Sequence, residues 1–314
     1  MLTSQPSRVV LIFSYLMICV IWGTTWLAIK LSISSVPPFL SAGLRFSIAT
    51  VLILVILKFR GYKYKFSLRE TLFLVLIGLG SFSVPYGLVY WAEGRVTSGL
   101  TAVTFAVMPF FAAVMSRIYL KTRDLTPPKV TGIIVGFAGL IVIFWNDLNI
   151  GSVGTIEGIL AVVLSAFLNA VVAVGVKKYG SDIDPIYINL IPMALGAITL
   201  LLTSMFVENW STVEITPTTV LSIVYLAVFG SVVAFALYFY LLKHISVVML
   251  SLTSFITPLL ALISGALFLG EKSPSGTLAG SAMILVGVLM MSLVGEKNTT
   301  EVVDGSRSEG APSK

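Results

Sequence analysis

One base, Arg45, stands inside an apolar run of the 314-residue sequence. It lies seven residues past Pro38, about 10 Å along a helix that rises ~1.5 Å per residue. A charge at that depth in hydrocarbon is costly and marks a functional candidate. It could receive the carboxylate of a solute. The structural alternatives are a guanidinium that snorkels outwards or one that pairs with Glu93. The other candidates are polar and aromatic residues within apolar runs: Trp22, Thr25, Tyr86, Tyr90, Thr104, Asn169, Tyr238 and Ser254. Aromatic walls with a few hydrogen-bonding groups suit an amphipathic organic solute. For Tyr90 and Tyr238, which lie near run ends, an interfacial aromatic belt is the alternative. Asn169 is the strongest of the set, because an amide deep in a span needs a partner.

The missing chemistry is as informative. The acids Glu70, Glu93, Asp147 and Glu157 sit near run ends, and none is at mid-span. Proton-coupled carriers commonly use buried carboxylates or histidines; were this chain a carrier, either an end-lying acid such as Glu93 would serve or its transport would be facilitative. The one histidine, His244, adjoins Lys243 at a run end and reads as a loop residue. The one cysteine, Cys19, forms no disulfide or metal pattern. No phosphate-binding glycine loop is present, and no clustered acid/base set. We expect neither an enzyme nor a cofactor or metal.

These residues need helices to hold them. The composition is 57% hydrophobic and 11% charged, against about 25% charged in soluble domains. Ten apolar runs occur, at 9–30, 38–58, 70–90, 99–120, 130–145, 155–176, 186–206, 218–240, 246–267 and 276–294. Most approach the ~20 residues a helix needs to span a bilayer and exceed the roughly ten of a barrel strand. The fold class is therefore an all-α integral membrane protein. The pairs Pro37-Pro38, Pro127-Pro128, Asp184-Pro185, Thr216-Pro217 and Ser273-Pro274 mark helix starts.

The formal net charge of +6 does not indicate nucleic acid, because the bases lie between runs. With a cytoplasmic N-terminus, the inside segments hold Arg8; Lys58, Arg60, Lys63, Lys65 and Arg69; Arg117, Lys121, Arg123 and Lys129; Lys177 and Lys178; Lys243; and Lys297, Arg307 and Lys314. Those are 16 positive residues, against Lys30, Arg95 and Lys272 outside. The bias places both termini in the cytoplasm. Residues 1–8 form a short cytoplasmic segment, and the polar stretch 295–314 reads as a disordered tail.

The runs also repeat. Two apolar helices joined by a polar loop fill 97–145, and the plan returns at 246–293. Pro109 and Pro258, 149 residues apart, each stand mid-helix. Interrupted helices at matching positions mark a midplane site or hinge in inverted-repeat carriers, and packing kinks otherwise. The helix after each carries a glycine pair, Gly132 and Gly136 or Gly276 and Gly280, suited to close helix packing. Five spans per copy is an odd number, so the second copy must be inverted.

The stretches "IWGTTWLAIK", "PPFLSAGLRFSIATVLIL" and "FITPLLALISGALFLGEKSPSGTLAGSAMILVGVLMM", with the proline-centred fourth run, resemble the EamA family of the drug/metabolite transporter (DMT) superfamily over about residues 10–293. The resemblance implies ten transmembrane helices in two inverted five-helix repeats, 9–145 and 155–294. It implies a central cavity lined by both halves, and export of amino acids, other metabolites or drugs. Arg45 matches the family's arginine in span two; its repeat counterpart near Pro192 is not basic. The family's acidic residue after span four survives only as Glu271. The expected protein is a secondary transporter of the cell (inner) membrane, exporting a small organic metabolite by alternating access. The alternatives are a drug or multi-solute efflux carrier and a non-transporting membrane scaffold. Its partners would be the solute and membrane lipid. The sequence leaves the oligomeric state open, and a monomer is compatible with it.

Overall fold

The computed structural model describes residues 7–60, 66–120, 126–150, 153–180, 183, 185–244, 250 and 253–308. Lys63, Lys65, Lys121, Arg123 and Lys314 lie outside them, as do 1–6, 309–314 and the opening residues 246–249 of the ninth run. Among the described residues the regular structure is all helical, in ten helices and a short 3-10 turn at Trp210–Thr212. The helices are α1 (Arg8–Ser32), α2 (Pro38–Arg60), α3 (Leu68–Glu93), α4 (Ser98–Tyr119), α5 (Pro127–Ile150), α6 (Val153–Tyr179), α7 (Pro185–Val207), α8 (217–244), α9 (Thr253–Leu269) and α10 (Ser275–Ser308). Seven are long and apolar enough to cross a bilayer, and Pro127–Ile143, Ile256–Leu269 and Ser275–Met291 are shorter apolar helices. The backbone of 295–308, polar and expected to be disordered, continues α10. Large apolar side chains face outwards, with Phe59 86% and Phe206 85% exposed. Hydrocarbon, not water, is the solvent such a surface matches, and the chain is a multi-pass membrane protein.

The prolines act as their positions suggest: Pro38, Pro127, Pro185 and Pro217 each open a helix, where a missing N–H costs nothing. Hydroxyl caps satisfy other first turns. Ser67 and Glu70 form a capping box at α3, and Thr97 Oγ1 accepts from Leu100 N at 3.2 Å at α4. Two N-termini, of α2 and α4, are also capped across the chain. Glu208 after α7 accepts from Phe39 N at 2.7 Å and Leu40 N at 2.9 Å. Glu271 before α10 accepts from Ser98 N at 2.8 Å and Ser98 Oγ at 2.9 Å. A carboxylate there meets both the orphan amides and the positive end of the helix dipole.

Three helices depart from regular α geometry. α3 contains a π-helical segment at Gly78–Ser83, and α8 contains one at Leu226–Val233. In each, a serine closes onto the carbonyl five residues back: Ser83 Oγ to Gly78 O at 3.1 Å, and Ser231 Oγ to Leu226 O at 3.0 Å. α4 breaks between Phe105 and Met108, so Pro109 falls in the first turn of a new helical piece. Pro258 lies inside the continuous α9. The two prolines, alike in sequence, thus occupy different local structures.

α5 and α10 approach backbone to backbone. A methyl built on Gly132 would lie 2.7 Å from the Gly287 carbonyl oxygen, and one on Gly139 would lie 2.5 Å from that of Gly280. Only glycine admits such backbone approach. The chain runs in opposite directions in the two helices, since the lower-numbered glycine of each faces the higher of the other. Gly136 also meets Gly287 and Phe110. Sequence spacing had singled out Gly132, Gly136 and Gly280 but not Gly139 or Gly287, which lie a further turn or two along the same faces.

Candidate functional site

Arg45 is the largest fully buried side chain among the described residues, 2% exposed. It does not snorkel, and it forms no ion pair with Glu93. Its Nε donates to Ser231 Oγ at 3.0 Å, its Nη1 to Tyr90 Oη at 3.3 Å and its Nη2 to the Gly230 carbonyl at 3.3 Å. The π segment of α8 explains the correction. Its wider turn carries both Ser231 and Gly230, which supply two of these acceptors deep in the helix bundle. Such insertions are frequent at functional sites. Gly230 also leaves the space: a methyl there would lie 3.0 Å from Thr25 Cγ2 and 3.4 Å from Arg45 Nη2. Rings complete the cage, with the guanidinium carbon 5.3 Å from the Phe46 centroid and 5.1 Å from that of Tyr86. The planar, weakly hydrated guanidinium suits such stacking better than an ammonium would. Among the described residues no carboxylate lies within ion-pair distance of it.

From this cage a row of rings crosses to α1. Phe46 meets Phe82 at 5.5 Å, Phe82 meets Phe235 at 6.0 Å, Phe235 meets Trp22 at 5.9 Å and Trp22 meets Tyr238 at 5.6 Å. Edge and tilted packing at these distances is the favoured arrangement. The row joins α1, α2, α3 and α8. Trp22, Tyr86, Phe235 and Tyr238 are only half-buried. Thr25 is buried beside Gly230, its hydroxyl donating to Trp22 O at 2.7 Å. The structure therefore gathers Trp22, Thr25, Arg45, Tyr86, Tyr90 and Tyr238 into one region. Tyr90 is fully buried on Arg45, so it belongs to no interfacial belt.

The remaining candidates stand apart from the cage. Thr104 is fully buried one turn from the break in α4, and its hydroxyl has no hydrogen-bond partner. Asn169 on α6 donates to Ser165 O at 3.0 Å, four residues back, so its amide is partly satisfied within its own helix. Ser254 is half-buried at the start of α9. His244 is exposed, its Nδ1 2.7 Å from Tyr240 O. A groove of about 470 Å³ between α1, α8 and Phe268 of α9 is lined by apolar groups with Thr24, Ser222 and Tyr225; the Thr24 and Tyr225 hydroxyls are 2.7 Å apart.

Ser231, Gly230, Phe46, Phe82 and Phe235 were not singled out by sequence. One signal was available: Ser83 and Ser231, like Tyr90 and Tyr238, stand 148 residues apart, the spacing that also relates Gly132 to Gly280 and Gly139 to Gly287.

A buried basic cage flanked by half-buried rings thus lies inside a multi-pass membrane protein. The EamA-like transporter family model matches residues 9–145 and again 156–293, and the chain belongs to that family. It is 32% identical over 280 residues to the uncharacterized inner membrane transporter YedA of Escherichia coli strain K12, covering 88% of this chain and 86% of that one. It is 30% identical over 279 residues to the uncharacterized transporter YoaV of Bacillus subtilis strain 168, covering 87% and 93%. An uncharacterized transporter of Buchnera aphidicola subsp. Schizaphis graminum is 28% identical over 254 residues, with 81% and 84% covered. A solved crystal structure shares the fold at a TM-score of 0.66 and 20% identity, covering 92% of this chain and 99% of its own.

Proposed function

We propose that this membrane transporter is a secondary carrier that exports a small organic metabolite, an amino acid being the class its groups fit best, by alternating access between two inverted five-helix halves. The observation that carries the reading is Arg45: a cation from the first half, held by Ser231 and Gly230 of the second, with no carboxylate partner among the described residues. A solute carboxylate would neutralise it, and the Trp22, Tyr86 and Tyr238 rings would take the apolar part. The inverted arrangement is supported by the glycine crossing of α5 and α10. Gly132 meets the equivalent of Gly139, and Gly139 meets the equivalent of Gly132. Reciprocal contact of that kind is the mark of a two-fold relation. Glu208 and Glu271, capping helices of the other half, supply contacts that rocking would break and remake.

The basic loops favour both termini in the cytoplasm of a cell whose inner membrane holds the protein. The test is counterflow: vesicles loaded with an amino acid mixture and challenged with labelled members of it. Saturable exchange that Arg45→Ala abolishes supports the reading; a wild-type protein that moves none, and is stabilised against heat by none, points to a scaffold. A drug or multi-solute efflux carrier is the second reading, favoured by the row of rings from Phe46 to Tyr238, whose flat faces accept many shapes. Stabilisation by aromatic cations but not by amino acids would select it.

A further inference from the structure

The groove between α1, α8 and α9 plays no part in the solute reading, and its place in the bundle says what fills it. On α1 its wall is one stripe, Val20, Thr24, Leu27, Ala28 and Leu31, whose spacing puts them on a single helix face. Facing them are Leu221, Ser222 and Tyr225 of α8, with Phe268 from the last turn of α9. The polar groups are turned inwards. Thr24 donates to Val20 O at 2.7 Å, so the Tyr225 hydroxyl is the donor in its 2.7 Å bond to Thr24. Ser222 is buried. The rim is hydrocarbon, with Val20 53%, Leu221 69% and Phe268 74% exposed. On a membrane-spanning chain such a rim opens to lipid.

The length of the groove selects the occupant. Val20 lies at the middle of α1 and Leu31 at its end. The helix between them covers about 16 Å, and one leaflet's share of the hydrocarbon core is about 15 Å. The groove thus runs from mid-membrane to one surface, the course of a single acyl chain. A helix of that length, about 10 Å across, fills roughly 1,200 Å³, so a groove of about 470 Å³ suits a chain and not a helix from a second copy. Left empty, its walls would lose dispersion contacts that a chain restores.

We infer that this groove is a phospholipid site, which seats one acyl chain of the leaflet holding the end of α1. The chain lies on the seam between the repeats, since α1 belongs to the first matched repeat and α8 and α9 to the second. It also lies behind the arginine cage. Thr24 adjoins Thr25, whose Cγ2 is 3.0 Å from a methyl built on Gly230, and Tyr225 directly precedes the π segment that carries Gly230 and Ser231.

Native mass spectrometry of the full-length protein, taken from dioleoyl phosphatidylcholine vesicles into mild detergent, reads the site. Wild type should carry one phospholipid. Ala28→Phe, which puts a ring into the groove wall, should lower that occupancy about tenfold. Ile141→Phe, on a lipid-facing part of α5 that is 65% exposed, should match wild type. A wild type without bound lipid, or Ala28→Phe with undiminished occupancy, overturns the inference. Equal loss in Ile141→Phe also overturns it, by making the lipid part of the general coat. A lipid-free dimer that Ala28→Phe dissociates does so too, by giving the groove to a second copy. Should Ala28→Phe fold poorly, Leu221→Trp at the exposed rim replaces it and is judged by the same outcomes. Delipidated wild type should also gain thermal stability from dioleoyl but not from dihexanoyl phosphatidylcholine, whose chains are too short to run the groove; equal gains from both overturn the inference. No arm involves a transported solute, so the lipid site and the carrier reading fail separately.

Discussion

Arg45 Nε donates to Ser231 Oγ at 3.0 Å, tying the second helix of the chain to the eighth across 186 residues of sequence. The serine is itself turned back onto Leu226 O. Guanidinium and π segment thus fix one another: without the segment the acceptors are not presented, and without the arginine two acceptors lose their partner.

Arg45→Lys should abolish counterflow while leaving membrane insertion intact. An ammonium on a flexible stem cannot reach Ser231, Tyr90 and Gly230 in one plane. Leaving those buried groups short of a partner costs about 1–3 kcal/mol each, so a lowered midpoint of thermal unfolding should accompany the lost flux. A lysine variant with wild-type exchange would remove the arginine from the site.

Ser231→Ala and its counterpart Ser83→Ala separate site from scaffold. Both remove a serine that closes a π segment. Ser83 receives a hydrogen bond from Thr199 at 2.7 Å, not from an arginine. Each should cost about 1 kcal/mol of stability for its lost bonds. Only Ser231→Ala should slow counterflow, which side-by-side flux and thermal-shift measurements will read.

Gly139→Ala drives a methyl to within 2.5 Å of the Gly280 carbonyl oxygen. The helices must separate, at about 1–3 kcal/mol. Gly154→Ala, at a glycine with open space around it, should cost nothing by that route. Thermal unfolding in detergent compares the two; equal midpoints would mean that the crossing contributes little.

Pro109→Ala should let α4 close its break between Phe105 and Met108, whereas Pro258→Ala changes a residue already inside a helix. Transport should therefore suffer more from the first than from the second, with expression unchanged in both. Equal effects would return the prolines to equivalent roles.

The element plan was legible because bilayer thickness imposes run length and proline imposes starts. Nine of ten runs begin within a few residues of their helices, and the ninth begins outside the described residues. Arg45 was legible because an isolated base in an apolar run is conspicuous. Its partners were not. Ser231 and Gly230 lie in a hydrophobic stretch with no periodic signal for a π turn, since the inserted residue changes hydrogen-bond register without changing composition. The partner of Asn169 was not legible for a related reason: an amide can bond to a carbonyl one turn back, as Asn169 does to Ser165, and spacing alone does not say so. The pairing of Gly139 with Gly280 needed knowledge of how two distant helices cross.

The capping of first-half helices by Glu208 and Glu271 has a consequence for observing the protein at work. Phe39, Leu40, Ser98 and Gly99 keep their amide protons sheltered only while a carboxylate from the far half stays docked. Those four N–H groups are consequently natural reporters: their deuterium uptake should quicken whenever the two bodies part on that face, and slow when a solute clamps them together.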